Sequence, residues 1–204
     1  LRLRPELLLM LAAARVGYAK GRISGGGGGG TTLVSDAFNR ADNGSSLGTA
    51  DVGGAWTAAA GTWGIASNKA RAFNGGSQSF AYIDAGAADC TVSVTMSGTL
   101  NSGGGICFRF QDTSNTWFID SDSGGPALWK VIAGSYTQVV NGLGSATLVA
   151  GDILSIVLNG SSFDIKKNGT SIYTTTQTQL QTATKHGLRD YGAVALMDNF
   201  SVTT

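Results

Sequence analysis

The sequence predicts an all-β sandwich of short antiparallel strands. Three patterns carry that expectation: strict alternation of apolar and polar residues in several short segments, Gly and Asn turns at hairpin spacing, and no helical period after Thr31. Cys90-Thr91-Val92-Ser93-Val94-Thr95-Met96 alternates throughout and reads as a half-buried strand. Ile106, Phe108 and Phe110 alternate with Cys107, Arg109 and Gln111, so the two sets are expected on opposite faces of one strand. These two strands are expected to form a hairpin around Thr99–Gly104. Ile153–Leu158 and Ser162–Lys166 form a second hairpin at Asn159-Gly160, and Asn168-Gly169 turns the chain into Ser171-Ile172-Tyr173. Short strands with such turns indicate a sandwich or jelly roll.

Composition supports one main domain with an appendage. The chain has 204 residues, 42% of them hydrophobic and only 13% charged, with 31 glycines and a net charge of +1. That apolar fraction can fill a core. A charge this close to zero gives no electrostatic case for a nucleic-acid partner. The two cysteines, Cys90 and Cys107, fall several residues apart in the expected hairpin register, so two buried free thiols are expected rather than a disulfide. Free thiols fit assembly in a reducing cytoplasm.

Several segments, taken in order, resemble concanavalin A-like (LamG-like) domains of phage virion proteins and secreted bacterial proteins. They are Asp36-Ala37-Phe38-Asn39-Arg40, Gly54-Ala55-Trp56, Gly61-Thr62-Trp63-Gly64-Ile65, Gly104–Asp112 with Asn115-Thr116-Trp117, Ala127-Leu128-Trp129-Lys130, Lys185-His186-Gly187-Leu188 and Asp198-Asn199-Phe200. The resemblance covers residues 33–204 and implies a concanavalin A-like jelly-roll sandwich of two antiparallel sheets. Trp56 and Trp63 are expected to pack in the core or at its rim.

Residues 1–22 differ from the rest. Pro5-Glu6 opens an apolar run, Leu7–Ala14, and Lys20-Gly21-Arg22 closes it, which are start and stop signals of a helix. Its basic start and alanines also match the outline of a secretory signal. The run is shorter than the roughly 20 apolar residues that span a bilayer, so no membrane span is expected. It is apolar nearly all round, so we expect an anchoring helix buried against a partner or copies of itself, with Leu7, Leu8, Met10 and Leu11 as contacts. An interfacial membrane helix is the second reading. Residues 23–32 form a Gly-rich linker, in which Gly25–Gly30 would span about 13 Å as a random coil.

The chemistry expected of the domain is binding, not catalysis. The glucanases of the resembled fold use a pair of glutamates, and this chain has one glutamate, Glu6, outside the β-domain. One histidine, His186, leaves no triad order and no multi-histidine metal spacing, and it is expected to cap a turn. Asp120 and Asp122 read as solvated residues before a glycine turn. The resemblance makes glycan binding the expected activity, with Arg109, Gln111, Asn115, Trp117, Trp129 and Tyr136 as candidates: an aromatic face for sugar C–H surface and planar polar groups for hydroxyls. The competing reading pairs Arg109 with Asp112 or Asp198 and places Trp117 in the core. No cofactor is expected beyond a Ca²⁺ ion of the kind many relatives bind. Asp36 and Asp198 are its candidate ligands, few for a cation taking about six to eight oxygens. Asn43, Asn159, Asn168 and Asn199 match the glycosylation pattern, but turn formation explains the Asn-Gly cases.

The resemblance, together with the layout of anchor, tether and head, implies an accessory protein of a tailed-phage virion. It would hold other virion proteins through residues 1–22 and display its head in many copies for weak adhesion to cell-surface glycans. A secreted or surface-attached bacterial carbohydrate-binding module is the alternative, and a glycoside hydrolase the third reading.

Overall fold

The computed structural model describes residues 30–74, 76–98, 103–122, 125–143, 146–193 and 195–204. The helix expected over 1–22 and most of the linker lie outside the described residues. The strands, in chain order, are β1 (Thr32–Asp36), β2 (Thr57–Ala60), β3 (Trp63–Ala66), β4 (Lys69–Ala72), β5 (Ser79–Asp84), β6 (Thr91–Gly98), β7 (Gly105–Asp112) and β8 (Asn115–Asp122). They continue with β9 (Gly125–Ile132), β10 (Ser135–Val140), β11 (Ile153–Asn159), β12 (Ser162–Lys167), β13 (Thr170–Thr176), β14 (Lys185–Asp190) and β15 (Ala195–Thr203). All pairings are antiparallel. One sheet runs β13-β12-β11-β6-β15-β4-β3, with β1 also on β15; the other runs β10-β9-β8-β7-β14-β5-β2. Among the described residues no helix is long and apolar enough to cross a membrane.

Local chemistry explains the strands and their turns. In β6, Val92, Val94 and Met96 are buried while Thr91, Ser93 and Thr95 are half-buried, as the alternation requires. Hairpin β12–β13 turns through Asn168 and Gly169 at φ 50 and 80, and β9–β10 through Ala133 and Gly134 at φ 50 and 79. Both central residues have positive φ, the geometry whose twist matches paired strands. Hairpin β11–β12 pairs Asn159 with Ser162 around Gly160 at φ 52.

One expected hairpin is not formed. β6 lies between β11 and β15, and β7 lies between β8 and β14, so the chain crosses from one sheet to the other between them. Alternation shows that each segment is a strand but carries no information on its partner. The cysteines are nevertheless free and buried, for a different reason: Cys90 belongs to the core between the sheets and Cys107 to a separate apolar layer.

The main core lies between the sheets and holds Trp63, Phe108, Trp117, Phe163 and Phe200, all within 1% of full burial. Phe163 meets Phe108 and Trp117 edge-on at ring distances of 5.4 and 5.2 Å. The Trp117 Nε1–H donates to the Gln179 carbonyl at 3.2 Å. Trp117 is thus a core residue, and its place among the glycan contacts is corrected: strand β8 turns it toward the opposite sheet. Truncation of a buried aromatic leaves a cavity. Trp117→Ala is expected to cost about 3–5 kcal/mol, read as a fall in the denaturation midpoint; a cost below about 1 kcal/mol would contradict this placement.

Candidate functional site: the outer face of the seven-stranded sheet

Strand β7 does not keep the alternation its sequence suggests. Cys107 opposes Gly187 and Phe110 opposes Lys185, so β7 spends one more residue than β14 over this stretch. The register with β8 also shifts between Phe108 and Asp112. Arg109 is the bulged residue, at φ 45, a conformation uncommon for a long side chain. The bulge reverses the faces: Phe108 packs in the core between the sheets, and Phe110 joins Cys107 on the opposite side.

Arg109 consequently points inward and is fully buried. Its Nη2 donates to Asp89 Oδ1 at 3.0 Å and to the Gly160 carbonyl at 2.7 Å, and its guanidinium lies 5.2 Å from the Phe163 ring centre. Burial pulls its pKa down, and the Asp89 carboxylate opposes that pull. Its partner is Asp89, neither Asp112 nor Asp198, and it stands outside any exposed glycan site. Asn115 is a turn tie: its amide donates to Asp112 and its carbonyl accepts from Ala133 N–H. Gln111 is exposed near the end of β7.

The bulge is held by His186. The Arg109 N–H donates to His186 Nδ1 at 3.3 Å, so Nε2 carries the ring proton and donates to the Ala87 carbonyl at 2.9 Å. Cys90 Sγ lies 3.4 Å from the same Nε2. A ring nitrogen that already bears a proton cannot remove one from the thiol, and burial pushes Cys90 up to about 12. The pair is therefore not an activated nucleophile. His186 caps its loop, as expected, and burial pushes its pKa down to about 4.

On the outer side of the seven-stranded sheet lies a second apolar layer. Phe80, Cys107, Phe110, Phe118 and Val131 are each no more than 2% exposed. Above and beside them lie the half-buried Tyr82 and Trp129 and the exposed Tyr136. The rings form one continuous path. Trp129 stacks on Phe118 at 6.1 Å, Tyr136 meets Phe118 at 6.4 Å, Phe80 touches both Phe118 and Phe110, and Tyr82 stacks on Phe110 at 5.0 Å. Polar groups frame the path. Lys185 Nζ lies 4.8 Å from the Tyr82 ring centre, and the Arg189 guanidinium lies 4.6 Å from that of Phe118. Arg189 forms an ion pair with Asp120 at 2.8 Å.

Of the six residues expected at a glycan site, this face gathers Trp129 and Tyr136. Sequence reasoning missed Tyr82, Phe110, Phe118 and Lys185. A signal was present: Phe80-Ala81-Tyr82-Ile83 and Trp117-Phe118-Ile119 are apolar without alternation, which marks strands covered on both faces.

The expected Ca²⁺ ligands do not fit a cation. The chain ends do meet, with β1 paired to β15. Asp36, however, accepts from Phe38 N–H, from both Arg40 Nη atoms and from Trp56 Nε1 at 2.6–2.9 Å. Asp198 pairs with Lys69 at 3.6 Å. Among the described residues no group of three or more His, Cys, Asp or Glu could hold a metal ion. Two surface recesses, of about 220 and 140 Å³, lie beside Asp36 and Trp56, away from the aromatic face. Both fall below the roughly 300–1,000 Å³ of ordinary ligand pockets.

No protein-family model and no curated protein matches this chain. Solved structures do. A carbohydrate binding module, CBM66, from Bacillus subtilis superposes with a TM-score of 0.60 at 17% identity, covering 73% of this chain and 95% of that one. Domain 4 of AbnA, a GH43 extracellular arabinanase from Geobacillus stearothermophilus in complex with arabinotriose, gives 0.52 at 12% identity over 85% and 92%. The Bacillus licheniformis β-glucanase gives 0.50 at 15% identity over 87% and 98%. The fold is a concanavalin A-like jelly roll. At these identities the likeness establishes the jelly-roll sandwich and no residue-level correspondence.

Two buried groups give the jelly roll an opposed pH response. Asp190 is fully buried; its Oδ1 accepts from Tyr191 and Gly192 N–H, while among the described residues its Oδ2 and the Oγ of Ser79, directly across on β5, lack a close hydrogen-bond partner. Burial raises Asp190 to about 6 from 3.8. Its contribution to stability is complete below about 3.8 and is lost as pH rises through about 6. His186, lowered from 6.5 to about 4, contributes fully above about 6.5 and loses that contribution as pH falls toward 4. Asp190→Asn keeps the acceptor and adds a donor near Ser79. It is expected to raise stability at neutral pH by up to about 3 kcal/mol and to expose a loss on acidification from His186 that the wild type partly hides. Denaturation midpoints at about pH 7 and 4.5 check both; a variant no more stable than wild type at pH 7 rules out the Asp190 assignment.

Proposed function

We propose that the jelly roll is a non-catalytic carbohydrate-binding module that holds glycans on the outer face of its seven-stranded sheet. The observation that carries the proposal is the aromatic path Tyr82–Phe110–Phe80–Phe118–Trp129, with Tyr136 beside it, on the solvent side of a sheet whose other side is already the core. The rings that reach the surface, Tyr82, Trp129 and Tyr136, offer apolar faces to the C–H surface of sugars, while Lys185, Gln138 and the Tyr hydroxyls offer hydrogen bonds. The names of similar structures point the same way, since one is a carbohydrate binding module and another was solved with arabinotriose. Two observations support a non-catalytic role. No glutamate occurs after Glu6. Two carboxylates near the path, Asp84 and Asp120, are engaged by Thr184 and by Arg189.

Trp129→Ala and Tyr82→Ala are expected to reduce retention on glycan arrays or cell surfaces by about tenfold or more, with the far-UV spectrum unchanged. Retention equal to wild type in both variants would remove this face as the site.

The finer reading is an accessory protein of a tailed-phage virion, anchored by residues 1–22 and present in many copies. It is supported by the sequence layout of apolar helix, glycine tether and head. The alternative is a secreted or surface-attached bacterial module that uses the same segment as its anchor. In the virion reading, deleting residues 1–24 leaves glycan retention intact and abolishes co-purification with particles; a truncated protein that still co-purifies with them argues against it.

A further inference from the structure

We infer that this face takes an internal stretch of an uncharged polysaccharide, laid across the strands from β5 to β10, and neither a chain end nor an acidic glycan; the inference rests on the glycan reading above. Three features of the face lead there.

The first is its extent. Tyr82 is on β5, Phe110 on β7, Phe118 on β8, Trp129 on β9 and Tyr136 on β10. In the order β10-β9-β8-β7-β14-β5 the rings span five strand spacings, about 24 Å. The register confirms a direct row: Gln138 opposes Trp129, Trp129 opposes Phe118, Phe118 opposes Cys107, Cys107 opposes Gly187 and Gly187 opposes Tyr82. A platform of that length is longer than a disaccharide and runs perpendicular to the strands.

The second is its floor. Between the outer rings the row is filled by Cys107, with the Phe80, Phe110 and Phe118 rings packed around it, all buried to 2% exposure or less. A Cβ at Gly187 would meet the Ala81 carbonyl oxygen at 1.9 Å, so this position stays bare and the neighbouring rings close over it. Among the described residues the row is filled between the outer rings, so the rings that reach the surface, Tyr82, Trp129 and Tyr136, would carry the flat faces of successive sugar units.

The third is charge. Arg189 is matched by Asp120 at 2.8 Å. Lys185 stands directly opposite Asp84 across β14 and β5; the Thr184 hydroxyl and the Gly86 N–H, by hydrogen bonding, hold the Asp84 carboxyl below its ordinary value, and the Lys185 charge adds to them. Each of these cations thus lies beside a carboxylate, which opposes the approach of a uronate or sulfate. The same balance predicts little dependence on salt.

The test is calorimetric titration of the full chain with cello- and laminari-oligosaccharides from disaccharide to hexasaccharide, and with the same chains oxidised at C6 to uronates. Xylo- and arabino-oligosaccharides extend the neutral set. The expected result is affinity that rises with length to at least the tetrasaccharide, no gain on oxidation, no dependence on sodium chloride concentration, and a loss of about tenfold in Trp129→Ala. Tighter, salt-dependent binding of the oxidised chains, or a disaccharide that binds as well as a hexasaccharide, overturns this inference while leaving the glycan reading standing. Failure of every sugar to bind overturns both.

Discussion

The bulge at Arg109 is the constraint on which both layers of this protein depend. One extra residue in β7 sends Phe108 to one side of the sheet and Phe110 to the other, although the two are spaced to share a face. The same residue reaches across the sandwich to Asp89 and to the turn carbonyl of Gly160. A long side chain at positive φ costs about 1–3 kcal/mol. Ion pairing, the hydrogen bond to Gly160 and the bond from its own N–H to His186 offset that cost. The strained residue is therefore a tie between sheets, and the outward turn of Phe110 is its consequence on the far side.

That turn adds Phe110 to a second apolar face of the seven-stranded sheet, where a sandwich ordinarily needs one. The inner face builds the core around Phe108, Trp117 and Phe163; the outer one builds a thin layer that ends in half-buried and exposed rings. Burial of the outer layer is achieved by side chains of the sheet itself, with Arg189 lying over Phe118 and Lys185 over Tyr82. A cation over a ring face covers apolar surface while remaining polar at its edge. The result is a surface that joins apolar rings to polar edges, the combination on which the proposed glycan role rests.

The polar groups buried at the edges of the sandwich are explained by structure, not by chemistry on a substrate. Asp36 gathers Arg40 and Trp56 and fixes the opening segment against β15, with the Trp56 ring 5.1 Å from that of Phe200. His186 holds a loop carbonyl and the bulge at once. A carboxylate whose oxygens already accept four donors has little left for a cation, which is why the meeting of the two chain ends does not create a metal site.

The sequence by itself determined the fold class, the hairpins at Asn159-Gly160 and Asn168-Gly169 and the burial of Trp63. Each of these follows from local periodicity, from turn chemistry within a few residues, or from residue type. It also marked Trp129 and Tyr136 as candidates, since large aromatics on an exposed hairpin stand out. Only the tertiary structure decided that β6 and β7 belong to different sheets, that Arg109 and Trp117 point inward, and that Tyr82 and Phe118 lie on one outer face with Trp129. The physical reasons are two: alternation marks a strand but not its partner, which leaves the sheets of β6 and β7 and the facing of Trp117, Tyr82 and Phe118 to tertiary contacts, whereas Arg109 turns inward because of the bulge. A strand's period of two assigns side chains to faces only while the register is unbroken, and a single bulged residue, fixed by partners distant in sequence at Asp89, Gly160 and His186, exchanges the faces without altering the pattern of residues that encodes them.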